Sequence, residues 1–133
     1  PAAVATGQAP YNVVISPDGK SAYAGNNGSN TISQYLRNAE TGQLTAMSPA
    51  TVATRESPHT IAVSPDGASI YVSDNGSNAV SQYSRDLETG KLTALSPATV
   101  AAGVSPYGIA VSPDGRSAYV ANEGSDSISQ YSR

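Results

Sequence analysis

The stretch Ile109-Ala110-Val111-Ser112-Pro113-Asp114-Gly115 is the most informative part of this sequence, because its pattern occurs three times. Its turn recurs as Ser16-Pro17-Asp18-Gly19 and as Ser64-Pro65-Asp66-Gly67, with a constant offset of 48 residues. The repeat extends over the whole chain: residues 49–85 and 97–133 differ at only 13 of 37 positions. A fixed period of this length indicates a repeat architecture.

Each repeat is predicted to form four β-strands. The first is an apolar run such as Val13-Val14-Ile15, which is typical of a strand covered on both faces. After the Pro-Asp-Gly turn, a second strand centred on Tyr (Ser21–Gly25) precedes a third, Thr31–Leu36, with polar and apolar residues alternating. A hairpin ending in Thr-Gly then leads to a short fourth strand, Gln43–Met47 or Lys91–Leu95.

A four-stranded antiparallel unit that is apolar on both faces must stack between neighbours, and radial stacking gives a β-propeller. We therefore predict an all-β fold of about three propeller blades in a single repeat domain, residues 1–133. The expected bounds are about 8–48 for blade 1, about 56–96 for blade 2, about 104–133 for blade 3 without its outer strand, and 1–7 for the end of a preceding outer-strand linker. A linear β-solenoid is the alternative fold, although its rungs are usually shorter than 48 residues.

The number of blades raises the question of ring closure. Propellers typically have 4–8 blades, so three blades leave two apolar sheet faces exposed to water. Either the chain is a fragment or engineered repeat protein that associates with itself, or it is the ordered part of a longer propeller. Nearly identical repeats favour self-association, with a homodimer of six blades as the preferred ring and a homotrimer of nine blades as the alternative.

The composition excludes several classes of function. Seven basic and ten acidic residues give a net charge of −3, and no segment concentrates Lys or Arg, so no nucleic-acid partner is predicted. The absence of Cys excludes disulfides, thiolate metal sites and a Cys nucleophile. No apolar run approaches the roughly 20 residues that span a bilayer, so we expect a soluble chain without membrane insertion. No cofactor is predicted.

Residues 105–115, followed by Ala118-Tyr119-Val120-Ala121-Asn122, resemble two related groups of propellers. One is the lactonase-type family, which includes 6-phosphogluconolactonases; the other is the surface-layer type with a Tyr-Val-Thr-Asn signature. The hairpin Thr41-Gly42-Gln43-Leu44-Thr45 is more similar to the lactonase-type branch. The resemblance covers the entire chain and implies propeller blades, usually seven in the complete ring. It also implies an extracellular or periplasmic location and lactone hydrolysis.

The sequence departs from the lactonase-type pattern at the start of each blade. Members of that family often carry an Arg-His pair after the Pro that opens a blade. The corresponding pairs here are Tyr11-Asn12, His59-Thr60 and Tyr107-Gly108. Since the pair is missing in all three repeats, the sequence favours a chain that is not an enzyme.

These same six residues are the candidate ligand-binding positions, because a closed ring would place them around one end of its channel. His59, the only His, and Arg55 are the candidate catalytic residues, with His59 as a general base. A half-exposed replacement for Tyr is the simpler interpretation of His59. No metal site is predicted, since the Asp and Asn residues of the turns are of types that bond their own backbone.

Three functional hypotheses follow. The first is a non-catalytic propeller scaffold that assembles with itself and binds a small ligand at the channel mouth. The second is a lactone hydrolase of the 6-phosphogluconolactonase type. The third is a binding propeller at a cell surface, for which no particular residue gives a signal.

Overall fold

In the computed structural model, which describes residues 2–133, the chain forms eleven β-strands in three antiparallel sheets. The first sheet consists of β1 (Pro10–Ile15), β2 (Ser21–Asn26), β3 (Thr31–Arg37) and β4 (Leu44–Ala53). The second consists of β5 (Pro58–Val63), β6 (Ser69–Asp74), β7 (Ala79–Arg85) and β8 (Leu92–Ala101). The third consists of β9 (Pro106–Val111), β10 (Ser117–Asn122) and β11 (Ser127–Ser132). Within each sheet, each strand pairs with the next along the chain. This arrangement confirms the predicted all-β fold of propeller blades.

The fourth strand is longer than predicted. β4 continues to Ala53 and β8 to Ala101, so the expected strand ends at Met47 and Leu95 and the blade bounds at 48 and 96 fall inside these strands. Pro49 lies inside β4 although it has no N–H to donate to the strand ladder. The pairing of β3 with β4 shifts its register between Ser33 and Tyr35. This irregularity accommodates the Pro, after which pairing resumes.

The Ser-Pro-Asp-Gly turns have the predicted role. In the first turn the Gly19 N–H donates to the Ser16 carbonyl at 2.8 Å, and the Asp18 carboxylate accepts from the Lys20 N–H at 3.0 Å. The polar loops of the second and third blades contain short 3₁₀ turns, Asn75–Ser77 and Glu123–Ser125. The described residues contain no helix long and apolar enough to cross a membrane.

The sheets pack against one another around their first strands. β1 contacts β5, and β5 contacts β9, so these three strands lie innermost while β4 and β8 lie outermost. One apolar cluster fills the space between the first and second sheets. Its buried members are Tyr23, Ile32, Ile61, Ile70, Val72, Tyr83 and Leu92. Burial of this cluster supplies the main stabilisation of the interface between the two blades.

Only the middle sheet is covered on both faces. On the first sheet Val13 and Ile15 of β1 are exposed, whereas Ile61, the repeat equivalent of Val13, is buried and Val63, that of Ile15, is partly buried. On the third sheet Ile128 is 66% exposed, whereas its equivalent Ile32 is 0% exposed. The sequence of β1 is that of a strand covered on both faces, but residues 2–133 place no sheet in front of it, as expected for the end of a three-blade unit.

Candidate functional site at the strand entries

Three aromatic side chains meet where β1, β5 and β9 begin. The His59 ring lies between Tyr11 and Tyr107, with ring centroids 3.9 Å and 3.7 Å away. The Tyr11 and Tyr107 hydroxyls share a hydrogen bond of 2.8 Å. We call these three residues the aromatic cluster. Because they occupy equivalent positions on neighbouring innermost strands, the cluster lies at one end of the axis around which the blades turn.

The backbone immediately before β5 and before β9 is held by the preceding blade. Ser57 and Ser105 both adopt left-handed conformations, with φ of 55° and 52°. The N–H groups of these residues donate at 2.9 Å to the side-chain oxygens of Asn30 and Asn78, respectively. A left-handed conformation costs a non-Gly residue roughly 1–2 kcal/mol, which these hydrogen bonds help to offset. The backbone at the start of β5 and of β9 is thus held in place by the preceding blade.

Burial favours the uncharged form of the His59 imidazole. His59 is only 8% exposed, and this burial lowers the pKa of its imidazole, although the Glu123 carboxylate acts in the opposite direction. The hydrogen bond with Tyr11 raises the pKa of the Tyr107 phenol. Within residues 2–133 the buried Nδ1 atom of His59 has no hydrogen-bond partner. No orienting group therefore prepares the imidazole for proton transfer.

The other three predicted binding residues, Asn12, Thr60 and Gly108, do not belong to the aromatic cluster. Asn12 uses its side-chain oxygen to accept from the Ile61 N–H at 3.1 Å, and Thr60 donates its N–H to the Ser73 hydroxyl at 3.0 Å. The first contact joins the innermost strands β1 and β5, and the second joins β5 to β6 within the second sheet. Gly108 has open space where a side chain would lie.

Ser73 is a residue that the sequence reasoning missed. Its hydroxyl donates to the Tyr107 carbonyl at 2.6 Å and so joins the second blade to the third beneath the aromatic cluster. The equivalent residues are Gly25 and Ala121, which have no polar side-chain atom. A hydroxyl at an otherwise apolar position of the repeat was the available signal.

Arg55 does not join His59. It is exposed and lines a surface groove with Ser77, Asn78 and Thr99, and among the described residues no hydrogen bond connects it to His59. Its charge acts instead on Asp74, a fully buried carboxyl. The two candidate catalytic residues are therefore not brought together as an acid–base pair.

A second missed feature is an Arg at the end of each third strand. Arg85 donates from Nε to the Tyr23 hydroxyl at 2.8 Å, and from Nη2 to the Asp18 carboxylate at 2.9 Å and the Ser21 hydroxyl at 3.0 Å. Burial raises the pKa of Asp18, but hydrogen bonds from Ser16 and Lys20 and the charge of Arg85 outweigh it and hold that pKa at about 2.

The same contact recurs one blade later. Arg133 donates to the Tyr71 hydroxyl at 2.6 Å and to the Ser69 hydroxyl at 3.0 Å. We call this arrangement, an Arg of one blade bound to the Tyr and Ser of the preceding blade, the Arg clamp. The clamps lie at the interfaces between blades, and their role is structural.

Metal-dependent and nucleophilic chemistry have no assembled site in this part of the chain. Among residues 2–133 no three His, Asp or Glu side chains gather as a metal site would require. The cluster offers aromatic faces, two hydroxyls and a neutral imidazole. Such groups are suited to holding a small polar molecule.

Comparison with known proteins identifies the family. A family model for lactonases that fold as 7-bladed β-propellers matches residues 1–105. The chain belongs to this lactonase family. The match covers the first two sheets, including Tyr11 and His59, and ends just before Tyr107. It confirms the resemblance inferred from the turn and strand motifs.

Solved structures show where this lactonase-family chain fits within a propeller. It superposes on a candidate 6-phosphogluconolactonase from Bacteroides fragilis with a TM-score of 0.86 and 26% identity, covering 98% of this chain and 36% of that one. A protein from Lactobacillus plantarum gives a TM-score of 0.86 with 25% identity, covering 98% and 39%. Hydrazine synthase from Kuenenia stuttgartiensis gives a TM-score of 0.72 with 31% identity, covering 93% and 32%.

The lactonase-family chain thus spans little more than a third of the length of these relatives. A comparison with curated proteins gave no significant match.

Proposed function

We propose that this lactonase-family chain binds a small, uncharged polar ligand at the axial end of its propeller, and that it does so without hydrolysing it. The observation that supports this proposal is the convergence of Tyr11, His59 and Tyr107 at the strand entries. The chemistry of the cluster favours binding over catalysis. His59 has no orienting partner among the described residues, and Arg55 lies elsewhere.

The exposed parts of the cluster define the kind of ligand. Tyr11 and Tyr107 are exposed, with their hydroxyls at the surface. A ligand with an apolar ring face and peripheral hydroxyls would contact both kinds of surface. Sugar-derived lactones have this character, and they are the compounds after which several structural relatives are named.

His59 provides a specific test, because a single His gives unambiguous imidazole signals in an NMR spectrum. Titration with glucono-1,5-lactone should shift these signals in a saturable way. The double variant Tyr11→Phe/Tyr107→Phe removes the two hydroxyls, each worth about 1 kcal/mol when hydrogen-bonded, and should weaken binding by roughly tenfold or more. Tyr119→Phe, which removes a hydroxyl on another face, is the matched control.

Two outcomes would contradict the binding proposal. One is a titration in which the His59 signals do not shift or do not saturate. The other is unchanged affinity in the double variant, which would place the ligand away from the cluster.

Lactone hydrolysis is the second candidate function, and the family match favours it. It requires His59 to act as a base and predicts turnover of 6-phosphogluconolactone that is lost in His59→Ala and in Arg55→Ala. Hydrolysis can be followed by proton release at constant pH. A rate equal to the spontaneous rate, or equal rates in wild type and both variants, would exclude this function for these residues.

A further inference from the structure

We propose that a second copy of this chain docks head to tail on the first, with the exposed face of its first sheet against the exposed face of the third sheet. Two copies joined in this way at both ends close a ring of six blades. This inference goes beyond ligand binding and does not depend on it. It rests on contacts that are made inside the chain and left incomplete at its two exposed faces.

The Arg clamp is the first incomplete contact. Arg85 and Arg133 each bind the Tyr and Ser of the preceding blade, but Arg37 bonds within residues 2–133 only to the Gly19 carbonyl, through Nη1 at 3.0 Å. On the third sheet the equivalent Tyr119 is 43% exposed, whereas Tyr23 is 0% exposed. Docking therefore brings a cation, Arg37, to Tyr119, Ser117 and the Asp114 carboxylate, a set equivalent to the one that binds Arg85.

The apolar surfaces are complementary by the same repeat. Between the first two sheets, Ile61 is buried and its terminal methyl lies 3.5 Å from the position of a Cβ on Gly25. The equivalent residues at the exposed faces are Val13 and Ala121, both open to solvent. Docking buries Val13 and Ile15 against Ile128 and Tyr119. Exposed apolar faces of this kind commonly mark interaction surfaces.

The segment before β1 adds a strand pairing. The Tyr35 hydroxyl donates to the Ala5 carbonyl at 2.7 Å, just as Tyr131 donates to the Ala101 carbonyl at 2.7 Å. Residues 2–5 thus already lie where the outer strand of a preceding blade would run. Since Thr31, Ile32 and Ser33 pair with Ala53, Val52 and Thr51, docking sets Ala5, Val4 and Ala3 opposite Ser127, Ile128 and Ser129.

This pairing extends the third sheet by a strand from the partner copy. Residues 2–133 provide no fourth strand for that sheet, so the N–H and C=O groups along the outer side of β11 are free to accept one. The pairing covers the first half of β11 and leaves Gln130–Ser132 without a partner strand.

The loops show one match and one mismatch. Inside the chain, the Ser57 and Ser105 N–H groups donate to the side-chain oxygens of Asn30 and Asn78. In the docked pair, the equivalent Ala9 N–H donates to the equivalent Asp126 carboxylate, which is also an acceptor. The mismatch is Glu123, which replaces the Asn27 and Asn75 amides that donate to the Pro58 and Pro106 carbonyls. A carboxylate cannot donate to a carbonyl. Glu123→Asn should therefore tighten the docking.

Ring size is the remaining constraint. Closing six blades in place of the seven typical of the family turns each interface by about 9° more. The match of near-identical repeats allows this rotation to be shared equally among the six interfaces.

Sedimentation of the 133-residue chain tests the Arg contact. Wild type should sediment as a dimer, and Arg37→Asp should weaken association at least tenfold, because it sets two carboxylates against each other. Adding Asp114→Arg to Arg37→Asp should recover at least part of the affinity. Lys91→Ala, which removes a cation remote from both faces, is the control and should remain dimeric. A wild type with the mass of one chain or of three chains would overturn the proposal.

Disulfide trapping tests the arrangement without depending on Arg37. The chain has no Cys, so only introduced thiols can react. Val4→Cys/Ile128→Cys places the two thiols on directly opposed residues, at a separation of about 4.5–5.5 Å between Cα atoms that allows a disulfide. Mild oxidation should yield a covalent dimer. Val4→Cys/Leu87→Cys, with its second thiol on a hairpin away from both faces, is the control.

The trapped species decides between head-to-tail docking and other contacts. Efficient cross-linking of the Val4–Ile128 pair alone supports the proposed interface. Failure of this pair to cross-link in the folded protein, or equal cross-linking of the control pair, would overturn it.

Discussion

At the scale of single residues, Arg85 shows how one side chain joins two blades. Its guanidinium is 1% exposed and contacts Tyr23, Ser21 and Asp18 of the neighbouring sheet, while Nη1 binds the Gly67 carbonyl of its own turn. A guanidinium supplies donors in several fixed directions at once, which an ammonium does not. This explains why an Arg stands at the end of the third strand in all three repeats.

Replacement of Arg85 should therefore destabilise the fold. Arg85→Ala leaves the Tyr23 and Ser21 hydroxyls without this partner and should lower the free energy of unfolding by about 2–3 kcal/mol. Arg85→Lys should lower it by a smaller amount, since the charge is kept and the fork is lost. Urea denaturation measures both, with the exposed Arg116→Ala as the control. Equal stability of Arg85→Ala and Arg116→Ala would contradict the role of the clamp.

Asp74 predicts an unusual pH dependence. Burial raises its pKa to about 6, although hydrogen bonds from Ser81 and the charge of Arg55 act against this shift. In the unfolded chain the pKa is about 3.9. Between pH 4 and 6 the unfolded state therefore loses its proton first, so stability falls as pH rises through this window and stays low above it. The full cost is up to about 3 kcal/mol.

Asp74→Asn should remove this penalty, because the equivalent residues Asn26 and Asn122 are amides that bond the neighbouring hydroxyls. We expect the variant to be more stable than wild type at pH 7 and similar to it at pH 4, as measured by urea midpoints. Glu40→Gln, which removes an exposed charge, is the control. A variant that gains nothing at pH 7, or gains equally at both pH values, would show that the buried carboxyl is not the cause.

At the scale of strands and turns, the Ser-Pro-Asp-Gly segment sets the geometry of each hairpin. Its Gly has a positive φ in every repeat, 74° at Gly67. An Ala at Gly67 would be strained, so Gly67→Ala should lower the free energy of unfolding by about 1 kcal/mol or more. Gly108→Ala is the control, because that residue has no positive φ and open space around it. Comparable losses in both variants would contradict the turn assignment.

The turns and the first three strands were predictable from sequence, because local patterns and a fixed period determine them. The full length of β4 and β8 was not, because both strands continue past a Pro, Pro49 or Pro97, which an edge strand accepts where its register shifts. The exposure of β1 follows from the number of blades and not from its own residues. Its apolar sequence is that of a covered strand, and only the number of neighbouring sheets decides whether it is covered.

At the scale of the whole molecule, the repeat predicts which residues meet. Tyr11, His59 and Tyr107 occupy the same position of the repeat, so arranging the blades side by side around one axis brings them together. Arg55 was grouped with His59 because it is near in sequence, yet it lies in a groove with Ser77 and Asn78. Ser73 and the Arg clamps escaped notice because they act between blades. Contacts of that kind depend on the angle between sheets, which a sequence pattern does not contain.

The residues at the two exposed faces of this three-sheet unit are repeat equivalents of those at the two interfaces inside the chain. Light scattering coupled to size-exclusion chromatography measures their consequence directly in the wild-type chain. We predict a single species of twice the 13.5 kDa chain mass over a wide range of concentration. A stable, folded species of 13.5 kDa at high concentration would contradict it.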